Sequence, residues 1–559
     1  MRMVFGALIA GAIAFSGPAA AQAPTTLTIG VRSETSSLDP HWTQFPQDKQ
    51  VEDHVFERLV AMDHNSRPVP GLATAWRPIN DTTWEFTLRR GVTWHDGRPF
   101  TADDVLFTFQ RLRAGIAGAP ASPAFIVAEG NKQIEKVDDH TVRIRSDGPR
   151  PNMPEEMAFF SIVAAHAAAG VTPSVDFNNG RATIGTGPYR FVEFRSGERV
   201  VLERNPNHWG PRQHWDRVVF RPITQDASRL AALMNGDVDI IDYPPTPDLP
   251  RLRQAGSRFS VSEISSDRVI YIQFSYMRDS EPFVRNADGT PMVGRNPFRD
   301  IRVRQAMSLA INREAIRDRI MGGAAIPTAN IVPVGFFGHA ASLNPDGFNM
   351  DRARDLQLDP MVQRNMDRAR DLLRQAGFPN GFRVTLHGPN NRYINDQQII
   401  EAIAQMWTRV GIQTEVNTMP RNIFFSDVIR GDPSSRPGVD VPKFSVWLSG
   451  WGTATGEAIY TVRGLIETYD AAAGTGNANW GRYSNPEVDR LSRQARMTLD
   501  NPQRERLLQQ ATEVGIRDAA LLPLHFQVNN WAHRASLRHQ PRVNERTYAW
   551  DIEPAPASR

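Results

Sequence analysis

Two segments in the second half of the chain combine aromatic, cationic and hydroxyl side chains that suit the binding of a small polar molecule. One is Pro389-Asn390-Asn391-Arg392-Tyr393, and the other is Ser449 to Glu457, with the sequence SGWGTATGE. A guanidinium fork matches a carboxylate, and an aromatic ring can cover an apolar or sugar face. Arg392 could therefore clamp a carboxylate while Trp451 and Tyr393 stack on the ligand. The alternative is that Trp451 packs in the core and Arg392 is a solvated loop charge.

Motifs of covalent, metal and nucleotide chemistry are absent from the sequence, which contains no G-x-S-x-G, no H-E-x-x-H and no G-x-x-x-x-G-K-[ST]. His95-Asp96 in TWHDG could form an acid–base or metal pair, but its position before Thr101 favours a turn between a strand and a helix. Gly185-Thr186-Gly187 is followed by Pro188 and a strand, so it presents no helix N-terminus to a phosphate. We therefore predict no enzyme activity, no catalytic residue, no metal and no cofactor. The candidate ligand-binding residues are Arg392, Tyr393, Trp451, Ala454, Thr455, Glu34 and Asn391.

Both candidate segments follow predicted strands. Phe382, Val384 and Leu386 alternate as a strand, a helix is predicted over about 396–410, and a second strand over 412–416. This strand–helix–strand order predicts a βαβ unit, and a further strand is predicted over 444–448. In such sheets ligands settle beyond the carboxyl ends of the strands, where loops converge.

Hydrophobic periodicity predicts most other elements of the chain. Strands are predicted at Leu27–Ile29, Trp84–Leu88, Val142–Ile144, Tyr189–Phe194, Arg199–Glu203, Val218–Phe220 and Val238–Ile241. Helices are predicted from Asp226 to Asn235 with Asp226 as N-cap, after Asp300, and around Ala369–Ala376 with Gly377 as C-cap. Segments rich in small residues or proline predict irregular structure at Ala114–Ala124, Tyr243–Pro250 and Ala471–Asn479.

The N-terminus has the features of a secretory signal peptide. Arg2 provides the positive charge, residues 4–15 an apolar core too short to span a bilayer, and Ala19-Ala20-Ala21 a cleavage site. Cleavage after Ala21 is favoured over cleavage after Ala23, which would leave Pro24 at the new terminus. The alternative is a buried N-terminal helix. The rest of the sequence has no second long apolar run.

Composition narrows the class of protein further. The chain has no cysteine, which excludes disulfides, Cys-ligated metals and a lipoprotein anchor. Its net charge is only +3 with acids and bases interspersed, so no nucleic-acid partner is expected. These features predict an exported protein of a Gram-negative periplasm, with no membrane span after cleavage. About 540 mature residues exceed one hydrophobic core, so at least two lobes are expected.

Five sequence blocks carry a family resemblance. They are LATAWRPINDTTWEFTLRRGVTWHDGRPFTADDVLFTFQRL (Leu72 to Leu112), GTGPYRFVEF (Gly185 to Phe194), NPFRDIRVRQAMSLAINREAI (Asn296 to Ile316), ARDLLRQAGF (Ala369 to Phe378) and YSNPEVDRL (Tyr483 to Leu491). Together they resemble the family 5 extracellular solute-binding proteins, which are the dipeptide-, oligopeptide- and nickel-binding proteins of ABC importers.

The resemblance implies an α/β, two-lobed periplasmic binding protein fold of type II, in its large three-subdomain variety. It divides the chain into a signal peptide (1–21), lobe I (22–285, with an inserted subdomain at about 60–185), lobe II (286–519) and a return to lobe I (520–559). The connecting strands would lie near Tyr271–Tyr276 and Leu522–Asn529. Closure about this hinge would bury the ligand and present a shape that an inner-membrane permease recognises. A monomer is expected.

At one position of the second segment this chain departs from the pattern of the peptide-binding members of the family. Peptide binders of the family carry an aspartate shortly after the Gly-Trp of the second segment, where it holds the ammonium of the peptide. This chain has Ala454 at that position, and Glu457 lies three residues further on. A buried ammonium without a counter-charge is costly, so ordinary α-peptides are disfavoured. The predicted function is capture of a peptide-like, opine-like or related polar solute. The alternatives are a dipeptide- or oligopeptide-binding protein proper, a periplasmic enzyme, and a sensor partner or chaperone on the same scaffold.

Overall fold

The computed structural model describes residues 25–119, 122–343, 360–429, 442–471 and 473–556. The predicted signal peptide (1–21) lies outside these residues. In chain order the α-helices are α1 (Pro46–Val55), α2 (Ala102–Ala114), α3 (Ala124–Ala128), α4 (Met153–Met157), α5 (Ala165–Ala168), α6 (Val175–Asn178), α7 (Asp226–Asn235), α8 (Leu249–Gln254), α9 (Ile301–Leu309), α10 (Arg313–Ala315), α11 (Pro360–Gln375), α12 (Asp396–Thr408), α13 (Arg421–Ile429), α14 (Ala458–Leu465), α15 (Pro486–Met497) and α16 (Asn501–Arg517).

The strands are short except for two. They are β1 (Thr26–Val31), β2 (Val60–Met62), β3 (Pro68–Pro70), β4 (Ala73–Asn80), β5 (Thr83–Leu88), β6 (Gln133–Asp138), β7 (Thr141–Arg145), β8 (Tyr189–Arg195), β9 (Arg199–Arg204), β10 (Arg217–Pro222), β11 (Ile240–Asp242), β12 (Phe259–Phe274), β13 (Val284–Asn286), β14 (Ala325–Pro327), β15 (Phe382–Pro389), β16 (Ile412–Met419), β17 (Val446–Gly452), β18 (Leu522–Arg534), β19 (Leu537–His539) and β20 (Ile552–Pro554).

The long strands β12 and β18 pair antiparallel and connect two parts of one mixed sheet. Its order is β13-β15-β17-β12-β18-β11-β1-β10-β9-β8, with β16 added beside β15 and β14 beside β18. The β1 part is joined through β11 to β18, and the β15 part is joined through β17 to β12. These two strands therefore carry the chain between the two parts of the molecule.

A separate antiparallel sheet, β4-β5-β7-β6, has its own hydrophobic core. Trp84, Phe86 and Leu88 of β5 face that core, which confirms the alternation predicted for TWEFTLRR. Helix α2 covers the sheet, and Thr101 and Asp104 form a capping box at its N-terminus. Further buried clusters surround β1 and β10, the β15 region, and helices α14 to α16. The hydrophobic interior is thus divided, as expected for a chain of this length.

The structure confirms the predicted βαβ unit, because β15 and β16 are parallel neighbours joined by α12. Asp300 caps α9 by accepting from the Arg302 backbone amide at 2.9 Å. The predicted N-cap role of Asp226 is wrong. Gln225 occupies the cap position, and Asp226 lies inside the helix, where its carboxylate pairs with Arg229 at 2.8 Å.

Two predicted boundaries also require correction. The strand predicted over 444–448 is β17, which continues to Gly452 because Ser449 to Gly452 pair with β12. Half of the second candidate segment is therefore strand and not loop. Within the predicted loop Tyr243–Pro250 the chain forms a 3-10 turn at Thr246–Asp248 and begins α8 at Leu249. Pro247 and Pro250 each lie in a first helical turn, where a missing N–H is tolerated.

His95-Asp96 forms a turn, as predicted, and connects two of the sequence blocks. The Gly185 amide donates to His95 Nδ1 at 3.2 Å, and His95 Nε2 lies 3.0 Å from the Gly187 carbonyl oxygen. Burial lowers the pKa of His95 to about 4. A Cβ on Gly185 would lie 1.7 Å from the Val55 carbonyl oxygen, so this glycine is required by close packing.

Among the described residues no helix is both long and apolar enough to cross a bilayer.

Candidate functional site

A cavity of about 940 Å³ lies where the end of β17, the middle of β12 and the C-terminal segment meet. Gly452 and Ala454 contribute from the β17 side, Asp267 and Arg268 from β12, and Arg546 from the C-terminal segment. Further lining residues come from the end of α1 and the segment that follows it, between Asp53 and Gly71, and Phe159 also contributes. The volume is at the upper end of the range for small-molecule sites, roughly 300–1,000 Å³.

An irregularity in β12 explains why two consecutive residues of one strand line the same cavity. Ser265 pairs with Val528 and Val269 pairs with Phe526, so three residues of β12 stand opposite one residue of β18. Side chains on a regular strand alternate between faces, whereas a bulge redirects them. The bulge therefore allows Asp267 and Arg268 to share the cavity wall.

Arg392 reaches the cavity from the loop that follows β15. The carboxylate of Asp396 accepts from the backbone amides of Arg392 and Tyr393, each at 2.9 Å, and so fixes the loop. Among the described residues no acceptor pairs with the Arg392 guanidinium, whose carbon lies 5.1 Å from the centre of the Tyr393 ring. Burial, together with the neighbouring charge of Arg268, lowers the pKa of Arg392 from its usual value. An unpaired guanidinium in a half-buried wall is suited to bind an anion.

Arg268, in contrast, has an internal partner. Its guanidinium forms a buried ion pair with Glu545. Burial opposes ionisation of Glu545, but the adjacent guanidinium of Arg268 outweighs this effect and holds the pKa of Glu545 below its usual value. The two charges compensate each other, so Arg268 helps to form the cavity wall but offers no uncompensated charge to a ligand.

A second, much smaller cavity of about 30 Å³ adjoins this wall and is also lined by Arg392. Arg32 and Arg421 line it as well, and within the described ranges none of these three arginines forms an ion pair. Asn391 holds the Arg421 backbone, whose amide donates to the Asn391 side-chain oxygen at 2.8 Å. Three guanidinium groups therefore converge beside the main cavity, and the carboxylates of Asp242 and Glu545 line the same small cavity.

Aromatic side chains form another part of the main wall. Trp451 stacks on Tyr460 with ring centroids 5.0 Å apart, and Tyr460 contacts Phe159 at 5.7 Å. The Trp451 ring also lies against Gly464, where an added Cβ would be 2.8 Å from it. Trp451 is thus fixed by packing and lines the cavity at the same time.

The structure brings only some of the predicted site residues together. Arg392, Trp451 and Ala454 line the main cavity, and Asn391 lines the small one. Tyr393 is 2% exposed and lies behind the wall. Thr455 is buried and lines a different cavity of about 40 Å³, whereas Glu34 is exposed and is not among the residues that line the main cavity.

Glu457 is committed to an internal contact. Its carboxylate pairs with Arg504 at 2.8 Å, and both side chains are almost fully buried.

Four residues that line the two cavities were not predicted from the sequence: Asp267, Arg268, Arg32 and Arg421. Asp267 and Arg268 lie within a strand whose alternation gives no sign of the bulge, and the two other arginines are far apart in the chain.

The chain is similar to known proteins along most of its length. Residues 67–471 match the family model described as bacterial extracellular solute-binding proteins, family 5 middle region. The Dipeptide-binding protein of Escherichia coli K12 is 26% identical over 492 residues, which cover 82% of this chain and 81% of the relative. Heme-binding protein A of Haemophilus influenzae is 26% identical over 508 residues, covering 85% of this chain and 82% of the relative.

A solved structure shows the same fold. The binding protein AgaA from A. tumefaciens R10, in complex with agropinic acid, superposes with a TM-score of 0.74 at 20% identity and covers 95% of this chain and 99% of its own. This likeness confirms the predicted fold class. The three names mention a dipeptide, heme and agropinic acid, so similarity at this level does not identify one ligand.

Proposed function

Because this chain belongs to the family 5 bacterial extracellular solute-binding proteins, we propose that it is a periplasmic receptor that delivers a small anionic solute to an ABC importer. It is a binding protein and not an enzyme, in keeping with its family. The partner would be the inner-membrane permease of the importer, and the protein would act as a monomer. The relatives named as dipeptide- and agropinic-acid-binding support a peptide-like or opine-like solute.

The unpaired Arg392 guanidinium in the wall of the 940 Å³ cavity carries this proposal. A carboxylate bound there would replace solvent around a half-buried cation with a charge-assisted hydrogen bond, which is stronger than a neutral one. The three arginines of the adjoining small cavity outnumber its two carboxylates, Asp242 and Glu545, so its net positive charge would add to the attraction of an anion. Trp451 and Tyr460 would cover an apolar or sugar face of the same solute.

The lobes are proposed to follow the family pattern, with residues 22–285 and 520–559 in lobe I and 286–519 in lobe II. Residues of both proposed lobes line the cavity. Asp53 and Arg546 belong to lobe I, and Arg392 and Trp451 belong to lobe II. The paired strands β12 and β18 would act as the connection between the lobes. Closure about them would bury the solute.

Identification of the solute that the protein retains is the direct test. Protein purified from periplasm without added ligand is denatured, and the extract is analysed by mass spectrometry in both polarities. The apo protein is then titrated calorimetrically with the identified compound. We expect one low-mass solute with an anionic group and reversible binding at one site. A solute without any anionic group, or the absence of any retained or rebinding compound, would contradict the proposal.

A further inference from the structure

Asp267 differs from the other buried carboxylates of the cavity wall. It is 4% exposed, and among the described residues no side chain pairs with its carboxylate or donates a hydrogen bond to it. Asp53 pairs with Arg58 and with Arg546, the latter at 2.9 Å. Glu545, which lines the adjoining small cavity, pairs with Arg268. The cations nearest to Asp267 are therefore already engaged by other acids.

The neighbours of Asp267 on the β17 side of the cavity, Gly452 and Ala454, carry no side chain or only a methyl group. The next strand approaches it at Gly452, where an added Cβ would lie 3.2 Å from Asp267 Oδ1. The Thr453 amide donates to the Asp267 carbonyl oxygen at 3.1 Å, which places the uncharged Ala454 close by. Glu457 is held by Arg504, so this side of the cavity offers Asp267 as its free carboxylate.

A buried carboxylate without a partner is destabilising, and such groups persist mainly where they serve a function. Burial raises the pKa of Asp267 to about 7. Arg268 and Arg546 oppose this shift and Glu545 adds to it. The charge of Asp267 in turn contributes, after burial, to the raised pKa of Tyr460 in α14. A cation arriving in the cavity would stabilise the ionised form.

We propose that Asp267 binds a protonated amine of the ligand, so that Arg392 and Asp267 are the anion- and cation-binding poles of a site for zwitterionic solutes. The inference rests on the proposed function and makes it more specific. An ammonium–carboxylate contact is a charge-assisted hydrogen bond, and the cavity is large enough to separate the two poles by a solute of short-peptide or opine size. A ligand whose amine is acetylated carries no positive charge there, so Asp267 would no longer bind it.

The test is a thermal-shift screen of the full-length mature protein with amino acids, opines, di- and tripeptides, and the N-acetyl form of each compound. Compounds that stabilise the protein are then titrated calorimetrically into native protein, Asp267→Asn and Asp279→Asn. The last variant is the matched control, because Asp279 is exposed, pairs with Arg299 at 2.5 Å and is not among the residues that line the cavity. Circular dichroism verifies that each variant is folded.

We expect stabilising compounds to carry both an anionic group and a free amine. Asp267→Asn should weaken them at least tenfold, and Asp279→Asn should leave their affinity unchanged. Equal binding of N-acetylated and free-amine partners, unchanged affinity in Asp267→Asn, or no hit among the zwitterions would overturn the inference. Binding of purely anionic compounds through Arg392 would preserve the proposed function while refuting the role of Asp267, so the two failures are distinguishable.

Discussion

The Tyr393 hydroxyl donates a hydrogen bond to the Gly450 carbonyl oxygen at 3.2 Å, and the Tyr393 ring occupies the space where a side chain on Gly450 would project. A Cβ at position 450 would lie 2.7 Å from the ring and 2.8 Å from Ile270. This contact joins the two segments in which the candidate ligand-binding residues cluster. It also fixes the residue next to Arg392, so it sets where the guanidinium enters the cavity.

Gly450→Ala is expected to destabilise the protein by about 1–3 kcal/mol, because the added methyl group overpacks a buried contact. The displaced Tyr393 should also move Arg392 and weaken binding of an anionic solute. Urea unfolding and calorimetric titration measure the two effects. Gly256→Ala is the matched control, since a Cβ there meets no atom within 4 Å. Equal stability of the two variants would contradict the packing role of Gly450.

Arg392→Ala should weaken an anionic solute by about 1.5–3 kcal/mol, the range for hydrogen bonds to charged groups. Arg392→Lys should recover only part of this loss, because an ammonium lacks the planar fork of a guanidinium. Calorimetric titration with the solute extracted from the native protein provides the measurement. Arg212→Ala removes an exposed arginine from the same cavity and serves as the control. Unchanged affinity in Arg392→Ala would refute the anion-binding role.

Asp267 should make the ligand-free protein less stable as pH rises. Its pKa is about 7 when folded, against about 3.8 when unfolded, so its contribution to stability is fully present below pH 4 and lost by pH 7. Asp267→Asn avoids this loss, which amounts to at most about 4 kcal/mol. The variant should therefore gain stability relative to the native protein between pH 5 and pH 8 in urea unfolding. A stability difference that is the same at both pH values would contradict the burial of an unpaired carboxylate.

Ligand binding should close the two lobes about the segments predicted to form the hinge, Tyr271–Tyr276 and Leu522–Asn529. The identified solute should reduce the radius of gyration in small-angle X-ray scattering. It should also raise the melting temperature, because a ligand at 100 times its Kd stabilises the folded state by about 2.7 kcal/mol. An unchanged scattering profile of an initially open protein, with a tight ligand bound, would refute hinge closure.

Maturation gives a test that is independent of the binding site. The signal peptide predicts that protein recovered from the periplasm begins at Gln22, or at Pro24 if the second site is used. N-terminal sequencing or intact-mass measurement distinguishes these products. An intact Met1 on periplasmic protein would refute the prediction.

The sequence by itself determined the local elements and the family. Alternation in TWEFTLRR, the helical spacing after Asp300 and the βαβ order around α12 all appear in the structure, since hydrophobic periodicity reflects burial of one face of a local segment. It also placed Arg392 and Trp451 in segments that reach one cavity, because Arg392 follows β15 and Trp451 lies at the end of β17 in the same sheet.

Only the tertiary structure decided which charges remain unpaired. Arg268 meets Glu545 across 277 residues of sequence and Glu457 meets Arg504 across 47, and no local pattern predicts either pair. The β12 bulge that turns Asp267 into the cavity arises from pairing with β18 more than 250 residues later. Net charge at a site depends on which distant segments converge there, so the free guanidinium of Arg392 and the free carboxylate of Asp267 became visible only once the chain was folded.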